Sequence, residues 1–378
     1  MEKLTIKNYK CFKSLELTLN DLTVLTGCNG NGKSSVVQTM LLMRSAIEKC
    51  SPLADTGYDL SRFHNAEIGI NNMYCQYPGE SAKLLNGDGD ESTIQVSYSS
   101  DEAKTILDFE VSEESPLSLK ASCVHTGSPH PFSMPEFYYL NAERLGPRVQ
   151  GTTCAQDFPN VGCQGEYTAQ ILGDSAIKYG FTVDSRKMPI EADGSRFEHK
   201  VNAWLDFILP GASIVNPTSD VGHLSASFDV SNRFLPSSSV LPTNTGFGIS
   251  YLLPIIVTGL LAGEKRVMIV ENPEAHLHPS AQSKTGIFLA TMAGAGVKVI
   301  VETHSDHVIN GIQIACIGNR NLEGRVGIKF FSHKNGDTQP SVTDININTT
   351  GELSEWPEGF FDQSRIDYME ILRKRGHV

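Results

Sequence analysis

The octet Gly27-Cys28-Asn29-Gly30-Asn31-Gly32-Lys33-Ser34 constrains this chain more than any other stretch of it. Its spacing is GxxxxGKS, and its flanks supply the context that the pattern requires. Leu22–Thr26 is an apolar run of strand length, and from Ser34 to Ile47 the apolar residues recur at helical spacing. A strand that turns through glycines straight into a helix points successive backbone N–H groups at one spot, where the helix dipole also favours negative charge. Such a loop fits a chain of phosphates, with Lys33 reaching the β- and γ-phosphates and the Ser34 hydroxyl available to Mg2+. Asn29, Gly30, Asn31, Gly32, Lys33, Ser34 and Ser35 are the expected nucleotide-binding residues.

Two more apolar runs belong to the same layer. Arg266–Val270 leads to Glu271, and Val297–Val301 leads to Glu302-Thr303-His304-Ser305. Strands apolar on both faces imply a central sheet covered by helices, and helical patterns near Ile249–Leu261 and Ser280–Ala293 supply two of the covers. A carboxylate at the end of such a strand can hold Mg2+ through its water shell beside Ser34, which makes Glu271 the second expected metal residue. Ahead of the Ile249–Leu261 helix lies Asn244-Thr245-Gly246-Phe247-Gly248-Ile249-Ser250-Tyr251, a glycine-rich entry able to present N–H groups to an anion.

Composition sets outer bounds. The chain has 378 residues, 40% of them apolar and 20% charged, ample for a packed core with inserted subdomains. A net charge of -12 argues against a surface that is basic throughout, so DNA is a possible partner but not an indicated one. None of the eight cysteines forms a CxxC pair, which fits reduced thiols in the cytoplasm. MEKLTIKNYK has no apolar run of the signal-peptide kind, and the apolar stretch Tyr251–Leu261 is broken by Pro254, Thr258 and Gly259, so no membrane segment is expected.

The pattern divides the chain into a first core piece with the glycine-rich phosphate loop at 1–50, an antiparallel β-rich insertion at 51–135 with an exposed polar turn at Asn86–Asp90, and a core strand with its following loop at 136–150. A mostly helical insertion at 151–240, a second core piece at 241–340 and a C-terminal segment at 341–378 complete it.

Four segments carry a family resemblance: the P-loop, Glu271-Asn272-Pro273-Glu274-Ala275-His276-Leu277-His278-Pro279, Glu302-Thr303-His304-Ser305 and the tail Trp356-Pro357-Glu358-Gly359-Phe360-Phe361-Asp362. Together they resemble ABC-like AAA-family ATPases of the overcoming-lysogenization-defect and RecF branch, in a stand-alone subgroup without a Toprim nuclease. The resemblance implies an α/β fold with an ABC-type P-loop core, ATP and Mg2+ as cofactors, and two copies, or a higher even number, closing face to face around nucleotide. It makes His304 a γ-phosphate sensor and Gly246, Gly248 and Ser250 a signature-like loop that reads the partner copy's nucleotide. It further implies ATPase components of bacterial antiphage systems, which act with a separately encoded effector such as a nuclease.

One position departs from the family. Asn272 stands where the usual glutamate would polarise water, and an amide cannot take a proton from water. Either hydrolysis is slow or Glu274 or Glu302 supplies the base. His276 and His278 lack a third metal ligand at suitable spacing, so a contact between copies is favoured over zinc. Glu143, Arg144 and Arg148 could reach the nucleotide edge or form a surface ion-pair cluster. A RecF-like clamp that binds DNA only with ATP is the alternative reading.

Overall fold

The computed structural model describes residues 1–87, 91–177, 180–220, 222–232, 239–333 and 336–376. Its centre is a six-stranded sheet in the spatial order Phe137–Leu140, Val267–Glu271, Lys298–Glu302, Leu22–Gly27, Val326–Ser332 and Ser341–Asn346. The first five strands run parallel and the last is antiparallel to its neighbour. Parallel neighbours need crossovers, which the helices Lys33–Cys50, Pro279–Gly294 and Asp306–Cys316 supply. The carboxyl ends of the parallel strands therefore share one edge, where open α/β sheets place their ligands.

Side-chain alternation divides the core in two. Val24, Met268, Val270, Val299 and Val301 pack on one face of the sheet with the helices Phe247–Leu261 and Pro279–Gly294. Leu25, Ile269, Ile300, Phe331 and Tyr139 pack on the other with Lys33–Cys50. That P-loop helix is buried along most of its length because a second sheet closes over it. The second sheet is antiparallel, in the order Phe12–Leu19, Glu2–Tyr9, Thr93–Ser99, Ala103–Glu110, Ser118–Gly127 and Ala66–Gly69. The β-rich insertion is thus continuous with the N-terminal hairpin, and its strands bury every second residue, as a one-sided sheet must. Of the turn expected at Asn86–Asp90, residues 88–90 lie outside the described residues. Asn86 is buried rather than exposed, its amide donating to the Lys10 carbonyl at 2.7 Å.

The 151–240 stretch departs from a mostly helical reading. Helices Thr168–Ile177 and Phe197–Ile208 share it with a three-stranded sheet of Gly151–Thr152, Ser225–Asn232 and Ala212–Asp220. Pro217 and a register shift between Val215 and Thr218 break the alternation by which sequence reveals a strand. In the C-terminal segment Ser341–Asn346 forms the sheet edge, and Phe360 is buried edge-on against Phe330 at 5.3 Å. The helix Gln363–Lys374 buries none of its residues, and Trp356 and Tyr368 are exposed.

Candidate functional site

Two of the P-loop glycines are required by close approach. A Cβ on Gly27 would fall 2.1 Å from the Phe331 carbonyl oxygen, and one on Gly32, at φ +90°, would strike the Phe12 ring and the Cys11 sulfur. Lys33 opens the helix as a buried residue, its Nζ donating to the carbonyls of Gly27 and Cys28, both at 2.8 Å. Burial lowers its pKa, with Glu302 and then Cys28 pulling the other way. The cavity in front of this loop is lined by Asn29, Gly30, Gly32, Lys33, Ser34, Ser35, Glu302 and His304.

Two carboxylates end adjacent strands in register, Glu271 opposite Glu302. Glu302 Oε1 accepts from the Ser34 hydroxyl at 2.8 Å, while its Oε2 is buried without a hydrogen-bond partner. Glu271 Oε1 accepts from the Tyr139 hydroxyl at 2.9 Å, and Gln76 Nε2 donates to the Tyr139 oxygen at 2.7 Å. Burial, with Glu302 adding like-charge repulsion, pushes the Glu271 carboxyl up to about 7. Burial raises Glu302 as well, while Ser34 and Lys33 oppose the shift. A hydroxyl and two carboxylates, one of them with an oxygen short of a partner, form an all-oxygen donor set, which fits Mg2+ better than a soft metal.

Glu274 and His304 are joined differently. Glu274 Oε2 accepts from the Thr303 hydroxyl at 2.7 Å, and Oε1 accepts from the His304 backbone N–H at 2.8 Å. Both oxygens of Glu274 thereby fix the segment Thr303-His304, leaving the His304 ring at the cavity. Burial lowers the imidazole pKa, Lys33 adds to this and Glu274 opposes it. Asn272 sits at φ +47°, in the left-handed region where asparagine is tolerated far better than glutamate. The turn's geometry gives a physical reason for the amide at this position.

Arg144 stands at the carboxyl edge of the sheet and is no part of a surface ion-pair cluster. It is fully buried and donates to four carbonyls: Asn141 at 2.9 Å, Tyr251 at 3.1 Å, Glu271 at 2.7 Å and Asn272 at 2.8 Å. Desolvation lowers its pKa to about 10. It ties the loop after Phe137–Leu140 to the turn after Glu271 and to the helix Phe247–Leu261. Glu143 and Arg148 are exposed.

Gly246 is the N-cap residue of that helix, so Gly248 and Ser250 stand in its first turns rather than in a loop. None of the three lines the P-loop cavity; Ser250 lines a separate one with Arg148, Leu253 and Pro254. A Cβ on Gly246 would meet nothing within 4 Å, and Phe247, half exposed, stacks on His276 at 5.1 Å. His276 also meets Tyr251 edge-on at 4.5 Å, whereas the His278 Nδ1 accepts from the Ser280 N–H at 3.4 Å. Among the described residues no group of three or more His, Cys, Asp or Glu side chains is placed to hold a metal ion.

Sequence reasoning placed the P-loop, Glu271 and His304 at one sheet edge. It did not name Tyr139 or Arg144 for the parts they play, and it offered Glu274 and Glu302 only as substitute bases. The signal for Glu302 lay in the equal strands Val267–Glu271 and Lys298–Glu302, which end level once paired in register.

A search of curated protein sequences finds no match. Among solved structures the chain is similar to the SMC head domain from Thermotoga maritima, with 10% identity over 91% of this chain and 98% of that one and a TM-score of 0.44. It is similar to an Smc head bound to the C-winged helix domain of ScpA, with 11% identity, coverages of 90% and 96% and a TM-score of 0.48. An Smc head with an extended coiled coil bound to the C-terminal domain of ScpA, derived from Pyrococcus furiosus, gives 11% identity, 99% and 100% coverage and a TM-score of 0.49. No helix among the described residues is long and apolar enough to cross a membrane. Residues 323–371 match a family described as a protein of unknown function (DUF3696). Residues 1–132 and 195–309, more than half of the chain, match the AAA ATPase domain, and the chain belongs to that family.

Proposed function

We propose that this chain binds and hydrolyses Mg·ATP, that two copies close face to face around the nucleotides, and that the closed pair acts as a sensor or scaffold for a separate effector, a nuclease, in bacterial antiphage defence. The observation that carries the ATP reading is the convergence of Lys33, Ser34, Glu302 and His304 on one cavity at the carboxyl edge of the sheet. The loop N–H groups and Lys33 would hold the phosphates, Lys33 exchanging its two carbonyl bonds for phosphate oxygens. Ser34 and the paired carboxylates would hold Mg2+, which supplies charge neutralisation between the β- and γ-phosphates. His304, with its backbone fixed by Glu274, would read the γ-phosphate.

Support for pairing comes from what the site lacks within one chain. The Gly246 entry is a helix N-terminus with open space at its first residue, and it serves no cavity shared with the P-loop. A second copy facing this one would bring that entry to the partner's γ-phosphate. Support for an effector comes from the exposed apolar side chains of the C-terminal segment, including Trp356, Ile366, Tyr368 and Met369.

The test is phosphate release and particle mass with Mg·ATP for the wild type beside Lys33→Ala. Turnover and doubling of mass, both lost in Lys33→Ala with about a hundredfold or greater loss of nucleotide affinity, are expected. A Lys33→Ala variant that still binds and turns over ATP at the wild-type rate would overturn the reading.

A further inference from the structure

We propose that Cys75 and Cys163 form a redox pair, joined by a disulfide when a hydroperoxide oxidises Cys75, and that the bond slows turnover by pulling on the hydrogen-bonded chain behind Glu271. The second half of the proposal rests on reading the neighbouring cavity as a Mg·ATP site.

The two sulfurs come from separate insertions and meet. Cys75 lies in the turn Asn72–Gln76 of the β-rich insertion, Cys163 lies in the loop ahead of the helix Thr168–Ile177, and the Cys163 thiol donates to the Cys75 sulfur. Both thiols are free and neither is fully buried. A thiol that reacts with an oxidant needs access and a stabilised thiolate. The hydrogen bond from Cys163 brings the Cys75 pKa down to about 7, against burial and the Glu166 carboxylate. The same bond, with burial, raises that of Cys163, which suits a thiol that reacts only after its partner is oxidised. Cys50, Cys123 and Cys316 are pushed up by burial instead.

Backbone strain is concentrated at the same turn. Asn72, Tyr74 and Cys75 stand at φ +62°, +50° and +59°, in the left-handed region that is costly for residues other than glycine. The Asn72 N–H donates to the Gln76 carbonyl at 2.8 Å, and the Tyr74 hydroxyl donates to Glu48 at 2.7 Å, which hold the turn closed. Gln76, next in the chain after Cys75, donates to the Tyr139 oxygen, and the Tyr139 hydroxyl donates to Glu271. The Cys163 carbonyl accepts from the Asn141 N–H at 2.8 Å, in the loop that follows Tyr139. A bond between the two sulfurs therefore pulls on both sides of the tyrosine that orients Glu271.

With hydrogen peroxide, the Cys75 thiolate attacks one oxygen, the O–O bond breaks, and its electron pair leaves with the other oxygen as hydroxide, which takes up the proton that Cys75 had released. Cys75 is then a sulfenic acid. The Cys163 sulfur bonds to the Cys75 sulfur, the S–O bond breaks, and hydroxide leaves with the Cys163 proton as water. Two thiols are oxidised to one disulfide and one peroxide is reduced to two waters.

The test exposes the reduced chain to hydrogen peroxide and follows a protease digest made without reductant, alongside phosphate release, for wild type, Cys75→Ser and Cys163→Ser. Thermal unfolding confirms that each variant folds. The wild type is expected to yield a peptide joining Cys75 to Cys163 and to lose about tenfold in phosphate release, with dithiothreitol restoring the rate. Cys75→Ser is expected to yield no such peptide and to keep its rate in peroxide, and Cys163→Ser to hold a sulfenic acid at Cys75 that dimedone traps. A wild-type digest without the joined peptide overturns the pair. A joined peptide with an unchanged rate overturns the effect on turnover, as does inhibition of Cys75→Ser equal to that of the wild type. If the untreated wild type releases no phosphate, the ATP reading fails and takes the effect on turnover with it, while the digest by itself still decides the pair.

Discussion

The phosphate cavity and the turn around Arg144 lie side by side at the same sheet edge and are built on opposite principles. At the cavity a polar group is left short of a partner: Glu302 carries a buried oxygen without a hydrogen bond, and its charge repels that of Glu271 at the end of the adjacent strand. Around Arg144 a charged group is buried just as deeply, yet it meets four carbonyl oxygens. An under-satisfied cluster sits at higher energy until a ligand completes it, whereas a saturated one fixes backbone and gains nothing from a ligand. The difference separates residues that bind from residues that hold the binding residues still.

The largest expected effect follows from the saturated side. Removing the guanidinium leaves four carbonyls wanting a donor, so Arg144→Ala should destabilise the fold by about 3–5 kcal/mol in denaturant unfolding. Arg144→Lys should recover less than half of this, because a point ammonium cannot serve carbonyls spread around a planar fork. A variant within 1 kcal/mol of wild type, on the order of a surface ion pair, would erase the contrast between the two regions.

His130 tests whether missing partners alone identify a binding site. Both ring nitrogens are buried without partners, and the ring stacks on Tyr98 at 4.6 Å, away from the P-loop. Burial, helped by His125 and Arg44, pushes its pKa down to about 3. The unfolded chain therefore binds one proton more between about pH 3 and the free-histidine value near 6.5. The stability contributed by neutral His130 is complete above about pH 6.5 and falls by up to about 1.4 kcal/mol per pH unit as pH drops through that window. His130→Phe should flatten the acid limb of stability against pH by that slope, with nucleotide binding unchanged. Parallel wild-type and variant curves would show that the ring has a partner in solution.

What could be read from sequence follows the same division. The P-loop is contiguous, and the two buried strands are apolar on both faces, so the sheet edge and most of its residues were legible. Glu302 depends on a parallel register between strands separated by a whole helix, which no local pattern reports. Arg144 shows its charge in the sequence but not the carbonyls that three separate segments bring to it. The sheet of Ala212–Asp220 and Ser225–Asn232 was hidden by Pro217 and a bulge, both of which interrupt the period of two.

Glu274 lies between the two regions and yields the smallest expected effect. Its oxygens accept from the Thr303 hydroxyl and the His304 N–H, so it belongs with Arg144 as a residue that holds the site's shape. Glu274→Ala should cost about 1–3 kcal/mol of stability and slow phosphate release about tenfold by loosening the segment that carries His304. Glu274→Gln keeps an oxygen for the His304 N–H, and the Thr303 hydroxyl can turn to accept from the new amide, so most of the loss should return. A proton acceptor would behave otherwise, because an amide cannot take a proton, and then Glu274→Gln would be as inactive as Glu274→Ala. Comparing phosphate release of the two variants at equal nucleotide saturation therefore decides whether Glu274 positions the switch or takes part in the chemistry.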